Sequence, residues 1–141
     1  MSTAVRRALY GRMAGDTTLN NLLGTPAAGF SKSIYYQQAP DEAQFPFVVF
    51  HKQSGIPTET FADPSAIESD VWMVKGVDRN TTADTSEAIQ ARLQTLLNDA
   101  PLTISGSVLL YLRRQSDVDY PETVDGVQYK HAGSLYRLVT D

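Results

Sequence analysis

The clearest periodic pattern in the chain predicts a helix near its middle. Apolar residues recur three and four positions apart over residues 88–97, which is the spacing of one buried helix face. Asp84 and Glu87 precede this stripe at the spacing of a capping box. The pattern predicts a helix over about residues 85–98. The residues predicted on its solvent-exposed side are Gln90, Arg92 and Gln94.

The first part of the chain also has apolar residues at helical spacing. Gly15 interrupts the pattern, and Asp16 is placed as the cap of a second short turn. Gly24 stands where a helix ends, and Pro26 prevents continuation. We therefore expect two short helical pieces, or one kinked helix, before Gly24.

Segments rich in aromatic and β-branched residues predict the strands. These segments are Ile34–Tyr36, Phe45–Phe50, Ile67–Val77, Leu102–Ile104, Val108–Gln115 and Gln128–Val139. Along Ile67–Val77, apolar residues alternate with polar ones. The side predicted to be buried contains Ile67, Val71, Met73 and Val77. The mixed side contains Glu68, Asp70 and Trp72.

Two polar segments separate these strands. The segment from Gln53 to Ser65 contains two prolines and a glycine, so we expect a long loop or a loose hairpin tip. The segment from Ser116 to Gly126 carries several carboxylates and Pro121, and it is predicted to be an exposed arm. The order of elements predicts one α+β domain over residues 1–141. Its mainly antiparallel sheet would have the N-terminal and central helices packed on one face.

Composition excludes several functions. The chain has 141 residues, a formal net charge of −4 and no cysteine, so disulfides, thiolate metal sites and a cysteine nucleophile are impossible. Its cations are scattered rather than arranged as the basic stripe of a dedicated nucleic-acid binder. No apolar run is long enough to cross a membrane, and we expect no membrane association.

The candidate chemistry is sparse. Neither His51 nor His131 lies in a known catalytic or metal-binding motif. The carboxylates between Asp117 and Asp125 do not follow the order of a calcium loop, so a solvated acidic segment is the better interpretation. The aromatic residues are better explained by packing or subunit contact than by base stacking. We therefore expect no catalytic residue, no metal site and no cofactor.

Six short segments follow one another in a recognisable order. They are Leu22-Leu23-Gly24, Ile34-Tyr35 with the Ala39-Pro40 turn, Phe45–Phe50, Asp70–Val74, Thr85–Ile89 and Leu135–Val139. Together they make the chain, from about Val5 to Val139, similar to the tail-completion or tail-terminator family. These proteins occur in long-tailed, siphovirus-like bacteriophages and in gene-transfer particles.

This resemblance implies a structural protein of the virion, located at the tail or neck and assembled in the cytoplasm of the bacterial host. It implies a homo-hexameric ring on the head-proximal end of the tail tube, which ends tail polymerisation and joins tail to head. Its partners would be copies of itself, the tail tube protein and a head–tail connector or neck protein. DNA would pass through the ring without specific binding, and no reaction would be catalysed.

A ring needs two complementary surfaces on each subunit, and the two polar segments are suited to reach a neighbour. Arg113 and Arg114 beside the acidic arm suggest a charge-complementary contact, for which a surface salt-bridge cluster is the alternative. The residues expected at the subunit or partner interface are Arg113, Arg114, Asp117, Asp119, Tyr120, Glu122, Ile56, Thr58 and Phe61.

Two other functions remain open at this stage. One is a head-completion or neck adaptor that contacts the portal, although such adaptors are usually more helical. The other is a small enzyme or ligand-binding domain that uses His51 or His131 with a nearby carboxylate.

Overall fold

The computed structural model describes residues 2–58 and 67–141, which form three helices and five strands. The helices are α1 (Ser2–Ala14), α2 (Thr17–Asn21) and α3 (Asp84–Leu97). The strands are β1 (Ile34–Tyr36), β2 (Phe47–Thr58), β3 (Ile67–Asp78), β4 (Leu109–Val124) and β5 (Val127–Thr140). No helix in the described ranges combines the length and apolar character needed to span a bilayer.

The strands form one sheet in the order β1-β2-β3-β5-β4. Only the short β1–β2 pair is parallel, and the other three pairs are antiparallel. Helices α1 and α3 pack on one face, which we call the helix side, and the opposite face is called the open side. The predicted α+β class and the mainly antiparallel sheet are confirmed.

The main core lies between the sheet and the helices. Its largest fully buried side chains include Trp72, Phe50 and Tyr136 on the strands, packed against leucines of α1 and α3. A smaller cluster on the open side contains Tyr35, Phe47, Val49 and Val77. Burial of Trp72, Tyr35 and Tyr136 confirms that these aromatic residues serve packing.

The two sides of β3 were predicted only in part, because Val71 and Val77 are buried as predicted, but the side assigned as mixed is the one that faces the main core. Trp72 and Val74 are at most 1% exposed and belong to the helix-side core, whereas Val77 belongs to the smaller open-side cluster. The error arose because Asp70 shares a side with Trp72 and made that side look polar. Asp70 is itself 1% exposed and lies 3.5 Å from the Lys52 ammonium group, so a paired charge is buried in the sheet.

The helix boundaries are close to the predicted ones, with one error. Helices α1 and α2 are separate, and the Asp16 carboxylate accepts a hydrogen bond from the Leu19 amide as an N-cap does. Helix α3 begins at Asp84, one residue before the predicted start, and its N-cap is Ala83 without a side-chain cap bond. The predicted capping box is therefore wrong. Asp84 and Glu87 instead place negative charge in the first turn, where the helix dipole favours it.

Both polar segments contain more regular structure than predicted. Residues 53–58 continue β2, and residues 116–124 continue β4, so the second segment is a strand and not a loop. The backbone of β4 pairs with β5 as far as Val124, and Asp125 and Gly126 make the turn with φ of +50° and +77°. Two left-handed residues are the requirement of a type I′ hairpin turn. By contrast, the predicted strand Leu102–Ile104 is replaced by a single bridge from Ile104 to Ser107.

Candidate assembly surface

Strand β4, which forms a hairpin with β5, is exposed along most of its length. Strand β4 is an edge strand, and Leu112 is its one fully buried residue. The last rung between β3 and β5 joins Asp78 to Lys130, which pairs with Pro121 of β4, so residues 122–129 project beyond this rung. We call this projecting part the arm. Its place at the end of a paired strand makes it a rigid extension of the sheet.

Two glutamines of α3 fix the hairpin from the helix side. The Gln90 side-chain amide donates to Asp119 Oδ1 at 2.6 Å and to the Gly133 carbonyl oxygen at 2.7 Å. One helical turn later, the Gln94 amide donates to Asp117 Oδ1 at 3.0 Å. Hydrogen bonds to carboxylates are the stronger kind. Both glutamines were predicted on the solvent-exposed side of the helix, which is wrong, because β4 continues under this side.

On the open side, four polar side chains tie β4 to its neighbours. The Lys75 ammonium donates to the Tyr120 hydroxyl at 2.7 Å, and the Tyr120 ring stacks on His131 with centroids 4.4 Å apart. His131 Nε2 lies 3.0 Å from Glu122 Oε1. Two of the predicted interface residues, Tyr120 and Glu122, are therefore engaged within the chain at the base of the arm.

His131 has the carboxylate partner that the enzyme hypothesis requires. Burial lowers the pKa of His131 below its usual value, with the Glu122 hydrogen bond acting in the opposite direction. Burial also lowers the pKa of His51, and the Lys75 charge adds to this effect. Within the described ranges, no hydroxyl nucleophile is hydrogen-bonded to His131. The His131–Glu122 pair, as placed here, holds the arm against β5.

The two predicted arginines also have partners inside the chain. Arg113 Nε lies 3.0 Å from Asp99 Oδ1, and Arg114 Nη1 lies 3.2 Å from Asp117 Oδ1. Both pairs are exposed, and exposed pairs contribute only about 0–1 kcal/mol to stability. They therefore remain free, in energetic terms, to exchange partners with another molecule.

Two of the remaining predicted residues lie on β2, in the part that β1 does not cover. Ile56 is 64% exposed there, and Thr58 is the last residue of that strand. Both are separated from the hairpin by β3 and β5, so the structure does not bring them together with the predicted residues of β4. The two groups occupy opposite edges, as the two halves of a head-to-tail contact would. Phe61 lies outside the described residues.

Sequence reasoning missed an apolar patch at the beginning of β4. Val108, Leu110 and Tyr111 are 60%, 49% and 38% exposed, and the Arg113 guanidinium lies over the Tyr111 ring. The sequence predicted a strand here, but sequence alone does not show that β4 is an edge strand whose apolar residues are exposed. The exposure of three large apolar neighbours is typical of a surface that contacts another protein.

The open side of the sheet carries a groove of 710 Å³. The arm forms one wall through Glu122 and Val124, and the segment after β1 forms another through Gln37 and Gln38. Within the described ranges, no three His, Asp or Glu side chains come together as metal ligands would.

Comparison with known proteins decides the family. The model of the family described as tail completion protein gp17 matches residues 7–141. The chain belongs to this family. It is thus a structural component of a bacteriophage-type virion with a role in tail completion.

A solved structure has the same fold as this tail completion protein. It is a chain from the virion of a native gene transfer agent particle, with a TM-score of 0.73 and 18% sequence identity. The match covers 96% of the tail completion protein described here and 93% of the other chain. A search of curated proteins found no match.

Proposed function

We propose that this tail completion protein acts as a single domain that forms a homo-hexameric ring at the head-proximal end of the tail tube. The ring ends tail polymerisation and gives the neck of the capsid a surface to bind. The observation that carries the proposal is the family match over residues 7–141. The protein assembles onto tails in the bacterial host cytoplasm and stays in the virion at the junction of tail and head.

The exposed surfaces of the chain support self-association. A ring needs a heterologous contact, in which two different surfaces of the same subunit meet. The hairpin lies at one edge of the sheet and Ile56 at the other. The proposed interface therefore has Arg113, Arg114, Asp117, Asp119, Tyr120 and Glu122 on one side of the subunit and Ile56 and Thr58 on the other. Phe61, which lies outside the described residues, is proposed as part of the same interface.

The same features support a role without catalysis. The polar side chains gathered around the arm bind one another, and their arrangement positions the hairpin. The net charge of −4 also fits a ring through which DNA moves, because few phosphates would be neutralised by its wall. The proposed partners are copies of the same chain, the tail tube protein and a neck or connector protein.

Deletion of the gene tests this function. A terminator is expected to leave filled heads beside separate tails of abnormal and variable length, visible by electron microscopy. Complementation with the wild-type gene should restore joined particles of uniform tail length. Normal-length tails beside heads that have lost their DNA would instead indicate a neck adaptor, and intact infectious particles would contradict both functions.

A further inference from the structure

A groove of 370 Å³ lies between α1, β1 and the segment that precedes β1. Its walls include Arg6, Arg7, Tyr10, Phe30, Ser31 and Tyr36. The lining is largely apolar, and Phe30 is 48% exposed at its rim. We call this feature the arginine groove, because Arg6 and Arg7 are the charged residues among the described ones that line it.

The arginines of this groove are not neutralised within the described part of the chain. The Arg6 guanidinium lies 4.8 Å from the centre of the Tyr36 ring, so it is held over an aromatic face. No carboxylate in the described ranges lies within ion-pair distance of Arg6 or Arg7, whereas Arg92, Arg113 and Arg114 all have one. The groove therefore combines an apolar floor with unpaired positive charge, and it suits an acidic segment that carries an exposed apolar side chain.

The tip of the arm has this chemistry. Val124 is 46% exposed, and it stands between the acidic residues Glu122 and Asp125. Three residues, 127–129, separate the turn from the last rung at Lys130, so the tip projects about 10 Å at roughly 3.3 Å per residue. The tip is thus a narrow, rigid, acidic element with an apolar residue near its end.

The arm and the arginine groove are placed for a head-to-tail contact. They lie at opposite edges of the sheet, since β4 is one edge strand and β1 is the other. They also lie towards the same end, because β1 begins opposite Val48 near the start of β2, and the arm projects past Asp78 next to that start. A neighbour displaced across the sheet could therefore receive the tip without being inverted.

Backbone pairing between sheet edges is a weaker basis for the contact. The ladder of β4 is irregular between Leu109 and Tyr111 and between Arg114 and Ser116, and Pro121 has no amide hydrogen to donate. Bulges, prolines and charged residues are the features that prevent edge strands from pairing with other chains. Side-chain docking of the arm avoids these obstacles.

We propose that the arm tip of one subunit inserts into the arginine groove of a second copy of this chain. Val124 packs beside Phe30, and the carboxylate of Asp125 pairs with Arg7. Because the two surfaces differ, repeated contacts of this kind close into a ring when the rotation between subunits allows it. The inference rests on the proposed ring function, and it adds the surfaces that would join neighbouring subunits.

Disulfide trapping in assembled particles tests the contact directly, because the natural chain has no cysteine. Particles are assembled with the variant Ser31→Cys/Val124→Cys, purified, oxidised and analysed by non-reducing gel electrophoresis. We expect a ladder that starts at the dimer and is absent from both single variants. The matched control is Ser31→Cys/Leu110→Cys, since Leu110 is 49% exposed and Val124 is 46% exposed.

The control pair should remain monomeric on the gel. A monomer from the Ser31→Cys/Val124→Cys particles would overturn the proposal, and so would an equal ladder from the control. Gene deletion separates this result from the proposed function. If the deletion gives abnormal tails but the cysteine variant gives no ladder, the terminator function stands and the proposed contact is wrong. If the variant gives a ladder but the deletion leaves normal tails, the contact stands and the terminator function is wrong.

Charge exchange gives an independent measurement if the cysteine variants fail to assemble. Arg7→Glu and Asp125→Arg are each expected to lower the yield of joined particles by about tenfold, because each places like charges together. The double variant restores the opposite pair and should recover most of the yield. Circular dichroism of each purified variant checks that it is folded. Failure of the double variant to recover, with folding intact, would contradict the pairing.

Discussion

The attachment of the hairpin to α3 can be tested by truncating Gln90. This side chain is only 9% exposed, and its amide joins Asp119 on β4 to the Gly133 carbonyl on β5. A hydrogen bond to a charged group contributes about 1.5–3 kcal/mol, and one to a neutral group about 0.5–1.5 kcal/mol. Because Asp119 is exposed and can be rehydrated, we expect Gln90→Ala to lower the free energy of unfolding by about 2 kcal/mol.

Urea denaturation followed by circular dichroism measures this change, and the melting temperature should fall by about 4–8 °C. Gln94→Ala is the matched control one turn away. Gln94→Ala should lower the free energy of unfolding by only about 0.5–1 kcal/mol, because the Ser134 hydroxyl still donates to Asp117 at 2.9 Å. A double-mutant cycle with Asp119→Ala should give a coupling energy of about 1 kcal/mol. Equal losses for the two glutamines, or no coupling, would refute the reasoning.

Three further tests address the turn and two titrating groups. Gly126→Ala should lower the free energy of unfolding by about 1–2 kcal/mol, because φ is +77° there although a Cβ would meet no neighbouring atom. The control is Gly11→Ala in a helix, where a Cβ also meets no atom, and it should raise the free energy of unfolding by about 0.5–1 kcal/mol, both measured by thermal melts. The Arg92 hydrogen bond lowers the pKa of Asp16 in the folded protein. The stability that the Asp16 carboxylate contributes is therefore fully present above its ordinary pKa of 3.8 and is lost as the pH falls through its lower pKa in the folded state. Asp16→Asn, which can still cap α2, should therefore show a shallower loss of stability in acid denaturation, and an unchanged acid limb would contradict this role. Burial raises the pKa of Tyr136 to about 12, so its contribution is present below 10.0 and is lost as pH rises towards 12. Tyr136→Phe should remove that alkaline loss and leave the free energy of unfolding at pH 7 unchanged or up to about 1 kcal/mol higher. The reason is that the buried hydroxyl has no hydrogen-bond partner in the described ranges, since the nearby Ser134 donates to Asp117. A loss above about 1 kcal/mol at pH 7 would contradict this expectation.

The sequence predicted the elements whose burial pattern is local. The apolar stripe of α3 and the aromatic run of β2 can be recognised in the sequence, because each element buries one face in the core and its apolar residues follow that face. The first half of β4 was predicted as the strand Val108–Gln115, but its second half, residues 116–124, could not be recognised in this way, because it has neither face buried and shows no alternation. The dipeptide Asp125-Gly126 was the available signal, and it is a strong indicator of a tight hairpin turn.

The residues of the candidate surface were predicted only in part. The structure places the predicted charged and aromatic residues of the hairpin at the surface, but their partners inside the chain were not predicted. The contact of Gln90 with Asp119 joins residues 29 positions apart, and it depends on how α3 crosses the sheet. The arginine groove likewise brings α1 beside Phe30 and Tyr36, and no local pattern predicts that packing.

The position of β5 between β3 and β4 has a mechanical consequence. This strand pairs with β3 from Lys130 to Thr140 and with β4 on its other side, including the rung from Trp72 to Tyr136 in the core. A pull on the arm along the strand axis loads these backbone hydrogen bonds in shear, so that they must yield together rather than one after another. Tension at the tip of the arm is therefore carried along β5 into the helix-side core.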